Sequence, residues 1–229
     1  ANALFGERVL RESLTASNRR AFEWRRANPL GAFRYFGQFK DLTPLLWVSF
    51  CFYVSVAVYP AIWVYYTTER FNWSPGLIGI SLALFGVSTV LVQAGLIRLA
   101  THYLGDIKTV KLGLMIQIPT LAMIALVDSG ALLLALTPLA ALGSIGTPAL
   151  QAIMSRAVDA ESQGALQGVL ASLNAFATML ALLGMTQVFA YFSGSGAIIY
   201  LPGAPFLMSA LLMAIGLGLF GRLHLSTKS

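Results

Sequence analysis

Acidic groups are missing from the places in this chain where they would do chemistry. The nine Asp and Glu among its 229 residues are Glu7, Glu12, Glu23, Asp41, Glu69, Asp106, Asp128, Asp159 and Glu161, and none lies within a long apolar stretch away from its ends. Paired carboxylates for acid–base catalysis are therefore absent from the interior, and so is the intramembrane acid that commonly carries protons in coupled transporters. A single cysteine, Cys51, excludes a disulfide framework and a thiolate metal site. The only histidines, His102 and His224, flank apolar stretches, so Ser144 in Gly143-Ser144-Ile145-Gly146 has no base to activate it. The run Ser193-Gly194-Ser195-Gly196 is followed by no Gly-Lys-Ser/Thr and preceded by no strand pattern, which excludes a phosphate loop and leaves a flexible turn. No cofactor and no metal site are expected, and the chain is not read as an enzyme.

Charged residues make up only 10% of the chain against 57% hydrophobic ones, with a mean hydropathy of +0.75. A soluble domain of this length cannot bury so much apolar surface, so the solvent is lipid. A helix needs roughly 20 apolar residues to cross the bilayer core. Six stretches qualify: Leu42 to Tyr66, Gly76 to Leu99, Lys111 to Val127, Ala131 to Met154, Gln163 to Tyr191 and Ala204 to Phe220. The third is short and is expected to lean on its flanks.

The net charge of +6 would suit nucleic acid in a soluble chain, but here its placement encodes topology. Of 15 Lys and Arg, only Arg70 falls on the side opposite the others. Short cytoplasmic loops carry the basic excess, so both ends of the segment are placed in the cytoplasm. Eight of the cations precede the first span, with Phe22, Trp24, Phe33, Tyr35 and Phe36 among them. Interleaved Arg and aromatic residues can bind single strands, but beside six spans they are read as a linker with an amphipathic helix along the headgroups. Trp47, Trp63, Tyr65, Tyr66 and Trp73 stand toward span ends and are expected to serve mostly as interfacial anchors.

Inside the spans the polar residues are neutral. Tyr53, Tyr59, Gln93, Gln117, Ser144 and Asn174 are the candidates for a substrate cavity, because an amide or hydroxyl in hydrocarbon must face another helix or water. At 1.5 Å per residue, Asn174 lies about 16 Å beyond Gln163 and Tyr53 about 18 Å beyond Asp41, near the midplane. Interhelical ties are the alternative role for each of them.

The connection into the fifth span reads Pro148-Ala149-Leu150-Gln151-Ala152, then Met154-Ser155-Arg156, Asp159 and Glu161, then Gln163-Gly164-Ala165-Leu166-Gln167-Gly168. The acids precede a helix whose positive dipole end favours anions, and Gly164 and Gly168 form a face that permits close approach. This string resembles the segment joining helices ten and eleven in the tetracycline-resistance branch of the major facilitator superfamily. Asn18-Arg19-Arg20 with Trp24-Arg25-Arg26-Ala27-Asn28-Pro29-Leu30 is similar to that branch's central linker, and Gln93 to Gly113 to its loop between helices eight and nine.

The resemblance implies an all-α integral membrane fold, the six-helix carboxy-terminal half of a twelve-helix transporter. Residues 1–6 would close helix six, 7–40 form the linker, 41–224 the six-helix domain and 225–229 a tail. Its start at Ala rather than Met fits a fragment of a longer protein. The implied partners are the bilayer, a small-molecule substrate and the amino-terminal half, in a bacterial inner membrane. Arg156, Asp159, Glu161, Gln163, Gly164 and Gly168 would meet that other half and set the balance between inward and outward states. Within Gly95 to Gly105 the loop signature is degenerate, with His102 near the place of an acid. The branch carries an Asp where Gln117 stands and Gly-Pro where Ala181-Leu182 stand, so tetracycline itself is put in question. The expected activity is proton-coupled efflux of a drug or metabolite. Uniport or import of a neutral solute, and a non-transporting sensor or assembly protein, are the alternatives.

Overall fold

In the computed structural model, residues 39–194 and 196–223 are described. The expected helix-six end, the linker apart from Phe39 and Lys40, His224 and the tail lie outside them. Among the described residues every regular element is helical. The chain runs through α1 (Thr43–Val56), α2 (Val58–Phe71), α3 (Pro75–Leu91), a π-helical turn (Val92–Leu96) and α4 (Ile97–Leu126). It continues through α5 (Gly130–Gly143), α6 (Gly146–Arg156), a 3-10 turn (Ala160–Ser162), α7 (Gln163–Ser193) and α8 (Ala204–Arg222).

Five continuous stretches are long and apolar enough to cross a membrane, and one of them, Pro75–Leu126, has 52 residues. That length corresponds to about 78 Å of helix, more than twice a bilayer core. Gly105 divides it: its φ of 73° and ψ of 166° lie where only glycine is unstrained, and the chain turns there. The six crossings expected from hydropathy are thus present, and the short third one gains length by beginning just after Gly105 instead of at Lys111.

Proline breaks two crossings near their middles. Pro60 has no N–H for the Val56 carbonyl, and α1 gives way to α2 at Ala57. Pro148 likewise withholds an N–H from Ser144; the Thr147 N–H takes that carbonyl at 3.3 Å, and α5 yields to α6. No such break occurs in α7, which runs unbroken for 31 residues through Ala181 and Leu182.

The helices pack around a main apolar core that includes Leu46, Ile62, Leu114, Leu121, Ile124, Leu166 and Phe206, with a small second cluster of Val92, Ala141 and Ile145. α8 lies against α4 and α1, α7 against α1 and α2, and α3 against α5. Where α4 meets α6 there is no room for side chains: a Cβ on Gly113 would stand 2.6 Å from the Gly146 nitrogen. Backbone thus touches backbone, as small residues permit in membranes.

The aromatic residues correct the sequence reading. Trp63, Tyr66 and Trp73 are buried and join Tyr59, Phe71, Phe85 and Phe206 in one cluster of ring contacts, with Tyr66 and Phe206 centroids 5.0 Å apart. Trp47 and Tyr65 are exposed. Nearness to a span end did not distinguish the two groups, because in a bundle the face on which a ring projects decides its surroundings. The turn read over Thr67 to Pro75 is also shorter than expected. α2 continues to Phe71, and Asn72, at φ 52°, closes it in the left-handed conformation that Asn tolerates.

Candidate functional site

Three polar pairs cross the interior of the bundle. Gln151 on α6 donates its Nε2–H to the Tyr53 oxygen on α1 at 3.3 Å. Gln117 on α4 donates to the Tyr59 oxygen on α2 at 3.4 Å. Trp63 on α2 donates its Nε1–H to Ser81 Oγ on α3 at 2.9 Å, and Ser81 passes a hydrogen bond on to the Ile78 carbonyl at 2.7 Å. Each pair joins two crossings, which answers the requirement that polar groups in hydrocarbon find partners within the protein. A cavity of about 30 Å³ borders the last two pairs, lined by Tyr59, Trp63, Ser81, Phe85, Ile124 and Thr137 among others.

The six cavity candidates fall into three settings. Gln117 is 2% exposed, and its Oε1 has no hydrogen-bond partner and lies against Gly143. Tyr53, Tyr59 and Ser144 are half-buried, and Ser144 spends its hydroxyl on the Ala141 carbonyl at 2.7 Å. Gln93 and Asn174 are exposed on the surface of the bundle. Gln93 stands in the π-helical turn Val92–Leu96, an irregularity that often accompanies functional positions. Asn174 borders a stripe of exposed small residues on α7, namely Gly164, Gly168, Ala171 and Ala175. A second such stripe, Gly76, Gly79, Ala83 and Gly86, runs along α3.

The corner where α6 runs into α7 gathers most of the second candidate group. Arg156, the last residue of α6, forms an ion pair with Asp106 in the first turn after Gly105. Ser155 donates to Gln163 Oε1 at 2.7 Å, and Gln163 Nε2 donates back to the Ser155 carbonyl at 2.6 Å. These bonds close the connection between α6 and α7. Asp159 and Glu161 stay exposed and make no capping hydrogen bond to the helix behind them. Asp41 and Asp159 line a cleft of about 220 Å³ with Phe39, Leu42, Ala157, Val158 and Ser162. Nothing lies within 4 Å of where a Cβ would stand on Gly164 or Gly168, so that face is open.

At the opposite end, Arg70 pairs with Asp128, and Tyr200 donates to Glu69 at 3.1 Å. Partial desolvation and the neighbouring Glu69 carboxylate push the Tyr200 phenol above its ordinary pKa.

Sequence reasoning passed over Asp106, Gln151, Ser81 and the Glu69–Tyr200 bond. Asp106 stands one residue past the degenerate loop signature, and Gln151 lies within the Pro148–Gly168 string, so both were within sight. Nothing local marked Ser81, whose partner is 18 positions earlier.

No protein-family model matches the chain. The class C tetracycline resistance protein of Escherichia coli is 34% identical over 189 residues, covering 82% of this chain and 48% of that protein. The class G protein of Vibrio anguillarum is 32% identical over 190 residues, covering 80% and 48%. The chain therefore spans about half the length of these relatives. Among solved structures, the human organic anion transporter MFSD10 superposes with a TM-score of 0.79 at 22% identity, over 95% of this chain and 53% of that one. The fold is that of a six-helix half of a major facilitator transporter. The chain belongs to the tetracycline-resistance-like branch of the major facilitator superfamily.

Proposed function

We propose that this chain is the carboxy-terminal half of a secondary transporter that exports a drug or small metabolite by alternating access, coupled to protons. The observation that carries the reading is the match to tetracycline resistance proteins over about half their length. The open stripes on α3 and α7 support it, because they offer two close-approach surfaces to an amino-terminal half.

Within this half, we assign Asn174 and Gln93 to the polar wall that meets substrate, with Tyr53 behind them. Both amides are exposed where a second half would face them, whereas Gln117 is sealed and acts as a tie between crossings. Gly164, Gly168 and the exposed Asp159 and Glu161 are assigned to the contact with the other half. No carboxylate lies inside a crossing among the described residues, so the proton carriers are assigned to the other half. We assign both ends of this segment to the cytoplasm of a bacterial inner membrane, a reading supported by the excess of Lys and Arg in alternate loops. No enzymatic step is assigned to it.

The uncharged interior also favours a second reading, uniport or import of a neutral solute. The full-length protein in everted membrane vesicles separates the two. Substrate-dependent proton movement with tetracyclines, other drugs or organic anions is expected for export. Movement of neutral solutes without proton flux would replace it with uniport, and no transport across the panel would overturn both.

A further inference from the structure

Asp106 has no part in the reading above, yet it ties the turn at Gly105 to the end of α6 through Arg156. Its side chain is 17% exposed, while that of Arg156 is 66% exposed. The acid is thus the held partner and the arginine reaches to it. Gly105 puts it there, since the positive φ at that residue turns the chain immediately before the carboxylate.

Farther along, the backbone contact at Gly113 and Gly146 leaves α4 and α6 no compressible layer between them. The ion pair closes one end of that same seam. From Arg156 the linkage passes to the neighbouring Ser155, through its two bonds with Gln163, and so to Gly164. A third bond, from Gln163 Nε2 to the Val158 carbonyl at 3.4 Å, folds the intervening residues onto the same amide. The other cations of the turn, Arg98, Lys108 and Lys111, are exposed.

We infer that Asp106 is a positioning residue for the contact between halves: by holding Arg156 within its own half, it sets the pitch of the connection into α7 and so the place of the Gly164–Gly168 face. This rests on the proposed two-half transporter. It assigns Arg156 to its own half instead of to its partner.

The test uses the full-length protein with Cys51→Ser and a reporter, Ala175→Cys, on the open stripe of α7. Asp106→Asn, Arg156→Gln and the swap Asp106→Arg with Arg156→Asp are compared for maleimide labelling and for transport. Each single variant is expected to change the labelling rate by about threefold or more, the scale of a partly exposed ion pair. Maximal transport rate should fall with KM little changed, and the swap should recover at least half of both effects.

Asp106→Asn with wild-type labelling overturns the inference, as does an Arg156→Gln effect that Asp106→Asn does not share, which would send the arginine across to the other half. Labelling needs no substrate, so absence of transport would count against the proposed function and leave this decision standing. If the swap does not fold, the two single variants decide.

Discussion

Gln117 donates a hydrogen bond to the Tyr59 oxygen at 3.4 Å while its own amide oxygen lies unpartnered against Gly143. A buried acceptor without a donor costs about 1–3 kcal/mol. Gln117→Leu removes that orphan together with a long hydrogen bond, so unfolding in detergent should move by less than about 1 kcal/mol. Gln117→Glu, which risks an ionised carboxylate with no cation beside it, should lower the melting temperature sharply. A leucine variant that unfolds as readily as the glutamate one would refute the assignment of Gln117 as a dispensable tie.

At Asn174 the expectation is reversed. Asn174→Leu lies on the exposed face, so its melting temperature should match the parent within about 0.5 kcal/mol. Its KM should rise several-fold in vesicle transport. An unchanged KM would remove Asn174 from the substrate wall.

The seam between α4 and α6 should be intolerant. Gly113→Ala forces the two backbones apart, a cost of about 1–3 kcal/mol by overpacking, and Gly113→Leu should abolish the folded protein in the membrane. Gly164→Ala, where the space is open, should fold normally. Yields and melting temperatures of the three variants check the contrast.

Gly105→Ala tests the turn. An L side chain at φ 73° and ψ 166° costs of order 1–3 kcal/mol. The variant should lose stability although nothing lies within 4 Å of the added methyl. Equal stability would mean that the chain can turn there without glycine.

Trp63→Phe keeps the ring among its aromatic neighbours but leaves Ser81 without its donor. A loss of about 1 kcal/mol is expected. Ser81→Ala made in the Trp63→Phe background should add little, and a double-mutant cycle with no coupling would show the bond to be idle.

Tyr200 offers a pH test at the end of the bundle opposite Arg156. Its raised pKa means that the folded state favours the neutral phenol, so its contribution is present below the ordinary phenol range and is lost as pH rises through the folded value. Tyr200→Phe should therefore flatten the alkaline limb of the melting-temperature profile slightly, and an unchanged limb would count against the Glu69 bond.

Membrane residence, six crossings and the basic side were legible in the residue order, because hydropathy and charge act locally along each helix. The family was legible too, since the Pro148–Gly168 string keeps its residue types together. Proline marked where crossings could break, but Pro60 and Pro148 stand at breaks while Pro119 and Pro138 stand inside helices, so the missing N–H alone did not decide which would part. By contrast, the fates of Trp63, Tyr66 and Trp73 turned on which neighbours their rings met, and Gln117 and Asn174, equally apolar in context, ended sealed and exposed. Asp106 found Arg156 fifty positions away only because Gly113 and Gly146 brought α4 and α6 into contact. Sequence alone determined what each helix is made of and that it lies in lipid; tertiary structure decided which polar groups are consumed inside the half and which are left facing outward, because that depends on contacts between segments far apart in the chain.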